Sequence, residues 1–136
     1  MIIIFSILGC KTFLTTPEGT IHYFMKSLEE NDINAANSCF KGRNFEKAGL
    51  GKAWLDYKII KKVVYDENKI EEYKKVNKYY NYNIINSPKI GDVEIIVREK
   101  IESEGKIKNV NFRYLLRRFE DKWFIIENYA LDNELN

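Results

Sequence analysis

The sequence predicts an α+β fold, with N-terminal helices laid on one face of a strongly curved antiparallel sheet. Three observations predict it. Apolar residues recur at helical spacing near the start of the chain, and from residue 57 onward they come in short β-branched and aromatic runs divided by turn signals. The two patterns do not interleave, and helices followed by a meander of strands read as α+β.

The first helix begins at Thr16-Pro17-Glu18, where Thr caps the free amides, Pro fits the first helical position and an early acid suits the helix dipole. Ile21, Phe24, Met25 and Leu28 then fall on one face. Asn31-Asp32 breaks the helix and offers a new cap, after which Ile33, Ala36, Cys39 and Phe40 describe a shorter amphipathic helix. Gly42, Gly49 and Gly51 interrupt the next stretch, leaving at most a short helix over 44–55 and an end to the helical part near Trp54. Residues 57–65 (YKIIKKVVY) read as a strand, and the charged stretch 66–76 carries no assignable pattern. Residues 79–85 are strand-like and close at Asn86-Ser87-Pro88, because Pro lacks a donor and turns the chain. Gly91-Asp92 introduces Val93, Ile95 and Val97, which alternate with Glu94 and Arg98 as in a half-buried strand. A hairpin loop over 102–106 leads into a strand over 110–119, and Glu120-Asp121-Lys122 forms a second into a strand over 123–131.

Composition fits one domain over residues 16–136: the 136-residue chain is 45% hydrophobic and 14% aromatic, enough for a core. The net charge of +2 creates no field that implies nucleic acid as a partner. Lys74, Lys75, Lys78, Tyr79, Tyr80 and Tyr82 interleave cations with rings, but Glu71, Glu72 and several Asn dilute them, and a solvated face accounts for the pattern. One histidine and two cysteines exclude a conventional Cys/His zinc cluster, and no phosphate loop, nucleophile elbow, paired-carboxylate motif or cofactor motif is visible. Cys39 reads as a small core residue.

The first ten residues carry a different signal. An apolar run from Met1 to Leu8 stops at Gly9-Cys10 and gives way to polar sequence. It is too short to span a bilayer, which takes about 20 apolar residues, but it matches the apolar core of a cleavable leader. Ile7-Leu8-Gly9-Cys10 resembles the bacterial lipobox, in which the thiol is acylated and the chain is cut before it. The resemblance implies a signal segment over 1–9, lipid on Cys10, a tether over 10–15 and a place in the bacterial cell envelope, facing outward or into the periplasm. Were the leader unused, the protein would stay cytoplasmic. No Lys or Arg precedes the apolar run and Leu8 is bulky for its position, and the expectation is that the upstream part is missing or the start is misassigned.

The segment from Phe24 to Ala36, with its Asp32 break, resembles the first two helices of the nuclear-transport-factor-2-like superfamily. Phe112-Arg113-Tyr114-Leu115-Leu116 followed by Asp121-Lys122-Trp123-Phe124-Ile125-Ile126-Glu127-Asn128-Tyr129 resembles its last hairpin. The resemblance implies a helical layer and a bent sheet around a cone-shaped pocket. Members include isomerases, polyketide cyclases, dehydratases, non-catalytic binding or dimerising modules and many small secreted lipoproteins. The lipobox draws this chain toward the last group, and so toward a binding domain without catalysis. A cyclase- or isomerase-type enzyme and a structural homodimerising module are the alternatives.

One position bears on catalysis. In the ketosteroid isomerase branch the first helix carries an oxyanion-stabilising Tyr eight residues before the break Asp, and here that position is Phe24, which has no hydroxyl to donate. His22, beside the apolar stripe, is a candidate base at a pocket mouth, but no spaced partner marks it and it reads as a structural flank residue. Arg113, Arg117 and Arg118 are candidates to bind an anion or to pair with strand acids. Asp32, Asp56, Asp66 and Asp92 fall at caps and turns. The candidate pocket set is therefore His22, Phe24, Leu28, Trp54, Phe112, Arg113, Tyr114 and Trp123, for a small molecule or a protein partner.

Overall fold

In the computed structural model the Thr16 side chain accepts the Gly19 N–H at 2.9 Å and starts helix α1, Pro17–Glu29, with Pro17 in its first turn. The described residues are 14–42, 52–76 and 87–131; the leader, Cys10, most of the tether and the 79–85 strand expected from the sequence lie outside them. Helix α1 ends where Asn31 adopts φ 58° and the Asp32 N–H reaches back to the Ser27 carbonyl at 2.8 Å. Asp32 then caps helix α2, Ile33–Ser38, by accepting the Ala35 N–H at 3.1 Å. The break and its second cap are as the sequence predicts.

Strands β1 (Ala53–Val64), β2 (Val93–Ser103), β3 (Lys106–Phe119) and β4 (Lys122–Ala130) form, among the described residues, a curved open antiparallel sheet in the order β1-β2-β3-β4. Helix α1 touches both edge strands, β1 and β4, so the sheet curls around it. The two hairpins are tight. Ser103 pairs with Lys106 across Glu104 and Gly105, both at positive φ, and Phe119 pairs with Lys122. At φ +74°, Gly105 takes a backbone shape in which a side chain would be strained.

The first strand starts earlier than the sequence suggests. Ala53, Trp54 and Leu55 are strand, so the helical part has ended before Trp54. Register shifts between Trp54 and Asp56 and between Ile59 and Lys61 each insert a residue and break the period-2 alternation that would have marked the strand. The charged stretch resolves as helix α3, Glu67–Val76, capped by Asp66 accepting the Lys69 N–H at 2.8 Å. Ile70 is its buried residue, and one buried position gives no readable stripe.

Register divides the sheet into two faces. The concave face carries Val93, Ile95 and Val97 beside Leu116, Tyr114 and Phe112. Ile21, Phe24, Met25 and Leu28 of α1, with Ala36, Cys39 and Phe40, close over it as the main core. Cys39 is fully buried there, as expected of a small core residue. The convex face holds a smaller cluster of Tyr65, Ile70, Leu115 and Ile126, covered by α3. Residues 39–41 seal part of the β4 edge: the Ile125 N–H donates to the Cys39 carbonyl at 2.8 Å and the Lys41 N–H to the Ile125 carbonyl at 3.0 Å.

Candidate functional site

Carrying the β2 alternation past Val97 brings Glu99 onto the concave face, opposite Val110 of β3 and Tyr57 of β1. Its side chain is 1% exposed. Trp54 Nε1 donates to Glu99 Oε1 at 3.0 Å, and the Tyr114 hydroxyl donates to Oε2 at 2.5 Å. Both oxygens are thus hydrogen-bonded, which is what a carboxyl needs to survive removal from water. Burial still outweighs the two hydrogen bonds and pushes the Glu99 carboxyl up to about 7. Burial, and then the Glu99 charge, drives the Tyr114 phenol well above its ordinary value, so that phenol remains a donor.

Rings frame this carboxyl. Phe24 meets Tyr114 edge-on with centroids 5.7 Å apart and Phe40 likewise at 5.3 Å, while Phe112 lies beside Tyr114 at 6.4 Å. Trp54, Tyr57 and Phe112 stay partly exposed along the margin of the main core. His22 Nδ1 and the Tyr57 hydroxyl share a 2.5 Å hydrogen bond at the exposed flank of α1. Burial, followed by the charges of Glu29 and Asp56, raises the Tyr57 phenol and keeps its proton available to donate.

The predicted pocket residues divide by location. Phe24 and Leu28 are buried core, Trp54 and Tyr114 bond Glu99, Phe112 lies beside Tyr114, and His22 sits outside the Glu99 cluster, engaged with Tyr57. Trp123 lies at the start of β4, where it lines a separate cavity with Arg117 and Arg118. Arg113 is on the convex face, because it alternates out of phase with Phe112 and Tyr114. There it bonds Glu94 and Tyr65, so it does not converge with His22. No family model, curated protein or solved structure matches this chain.

Arg113 and Arg117 both pair with strand acids, Glu94 and Asp92, but the pairs are largely buried rather than solvated. The β3 register runs unbroken through Leu115 and Leu116 against β2 and shifts between them against β4. Asp92 serves its turn, accepting the Lys89 N–H at 2.9 Å, and in addition takes both ends of the Arg117 fork. Glu99 escapes a motif search because it has no motif. Its signal is positional: an acid at the next inward place of an apolar alternation.

Among the described residues no helix is long and apolar enough to cross a membrane.

Proposed function

We propose that this chain is a lipid-tethered protein of the bacterial cell envelope, whose nuclear-transport-factor-2-like domain binds a ligand through the concave face of its sheet and performs no chemistry of its own. The observation that carries the binding role is the Glu99 carboxyl, held by Trp54 and Tyr114, beside the partly exposed rings of Trp54, Tyr57 and Phe112 at the margin of the core. Partly exposed rings beside a closed-off carboxyl suit an apolar compound bearing an N–H donor or an ammonium group: the rings cover its body, and its polar end gains the carboxyl by displacing the Trp54 N–H from Glu99 Oε1. The tether rests on the leader and Cys10, with lipid taking the place of a membrane-spanning helix.

A second reading has one observation behind it. A buried carboxyl pushed up to about 7 beside a tyrosine hydroxyl stands in the range useful for proton transfer. Against an isomerase-type reaction, Phe24 fills the oxyanion position of the first helix and its ring is packed between Phe40 and Tyr114.

Two measurements test the proposal. Mass spectrometry of protein from membranes is expected to find an acylated chain starting at Cys10, and Cys10→Ala to abolish both cleavage and lipid; an intact Met1 in both samples overturns the tether. Trp54 fluorescence, followed in a Trp123→Phe background, is expected to respond to aromatic amines more strongly than to the matching hydrocarbons, and Glu99→Gln to erase the difference. Equal responses overturn the assignment of Glu99 as the recognition group.

A further inference from the structure

At the end of the sheet where β2 begins, a cavity of about 420 Å³ is lined by Lys89, Ile90, Gly91, Asp92, Arg117, Arg118 and Trp123. Among the described lining residues, Asp92 matches the Arg117 charge, which leaves Lys89 and Arg118 as the cations in excess. That carboxylate is committed inward, since buried Asp92 takes Arg117 Nε at 2.9 Å and Arg117 Nη2 at 2.8 Å besides capping the Lys89 turn. Arg117 Nη2 also donates to the Ser87 carbonyl at 3.0 Å, so the guanidinium is fixed in orientation at the cavity wall. Arg118 is exposed and held by its Nε donating to the Glu120 carbonyl at 2.8 Å. Glu120 and Asp121 belong to the adjoining turn and do not line the cavity.

Two apolar groups complete the rim. Ile90 is 57% exposed and the Trp123 indole is partly buried. The Trp123 backbone N–H donates to the Leu14 carbonyl at 2.8 Å, so the chain enters the domain at this rim. Cys10 is four residues before Leu14, a reach of at most about 14 Å even fully extended.

We infer that this rim is the bilayer-facing surface of the domain and seats the headgroup of an anionic phospholipid between Lys89 and Arg118, against the wall that the Arg117–Asp92 pair holds. The inference rests on the proposed anchor at Cys10, because a lipid on that sulfur brings the Trp123 end of the sheet to the interface. The chemistry fits the place. Cations attract an anionic leaflet, a Trp settles at headgroup depth, and an exposed Ile finds the acyl boundary. A basic patch beside a lipid chain is the pair of signals that makes attachment durable.

The test uses the acylated protein reconstituted into vesicles of phosphatidylcholine, with or without phosphatidylglycerol, and lipids brominated near the headgroup. Trp123 quenching, taken as the difference from Trp123→Phe, is expected in the anionic vesicles, to weaken at high salt, and to fall to the phosphatidylcholine level in Lys89→Ala/Arg118→Ala. Quenching that ignores lipid charge and the double substitution overturns the inference. So does an equal Trp123 emission change with inorganic phosphate alone, which would make the cavity a small-anion site. Mass spectrometry of the same sample reads the anchor separately. If Cys10 carries no lipid, flotation of that protein with the two vesicle types reads the rim alone: charge-dependent flotation lost in the double variant supports it, and no flotation overturns it.

Discussion

Glu94→Leu is expected to lower the folding free energy by about 3–5 kcal/mol, because it leaves the Arg113 guanidinium buried without its counter-charge. Arg113 is 7% exposed on the convex face and donates from Nε to Glu94. Its Nη2 donates to the Tyr65 hydroxyl at 3.2 Å, that hydroxyl lies 3.1 Å from Glu94 Oε1, and the Tyr129 ring stands 5.3 Å from the guanidinium carbon. Burial works against the Arg113 charge, but Glu94 and Tyr65 outweigh it and hold the group above its ordinary pKa. With Glu94 gone, Tyr65 and Tyr129 supply dipoles but no compensating charge. The double variant Glu94→Leu/Arg113→Met is expected to recover most of the loss, since replacing both members of a buried pair with apolar residues of similar volume is often neutral or stabilising. Urea midpoints of the two single variants and the double variant form the cycle that measures the coupling. A Glu94→Leu loss under about 1 kcal/mol would place the pair in the range of solvated ion pairs and contradict its burial.

The parts of the fold legible in the sequence are those where one local rule acts alone. Thr16-Pro17 and Asn31-Asp32 mark helix ends through their own side chains, and Val93, Ile95 and Val97 alternate without interruption. Strand β1 is harder to read because two bulges reset its alternation, leaving Trp54, Tyr57 and Ile59 inward at irregular spacing. Helix α3 lacks a stripe because it buries Ile70 alone and is supported by Asp66 and by exposed Lys69–Glu72 and Lys74–Glu71 pairs. At the site, the sequence identifies Trp54, Phe112 and Tyr114 by being aromatic but omits Glu99, the group that Trp54 and Tyr114 bond. An acid on a strand ordinarily signals the solvent face. Only the strand's phase, joined to a tyrosine and a tryptophan from two neighbouring strands, turns Glu99 inward. Arg113 shows the opposite error: it is adjacent to Phe112 and Tyr114 in the chain, and that adjacency puts it on the other face.

Glu99 links stability to pH with a definite sign. Its carboxyl is pushed up to about 7 in the folded protein from an ordinary 4.5, chiefly by burial. Between those values the folded state keeps a proton that the unfolded chain releases, so its contribution is complete below pH 4.5 and is lost as pH rises through about 7. The gap amounts to about 3 kcal/mol. Wild type is therefore expected to be less stable above neutrality than in mild acid by that order, while Glu99→Gln stays neutral throughout and loses this component. Its amide can still accept from Trp54 and meet the Tyr114 hydroxyl, so the comparison isolates the charge. The other ionisable groups are common to both proteins and cancel in the difference between their urea midpoints. Above pH 8 the variant is expected to be the more stable of the two. A wild-type profile parallel to that of Glu99→Gln would mean that water or a cation reaches the carboxyl, and the closed triad with Trp54 and Tyr114 would have to be abandoned.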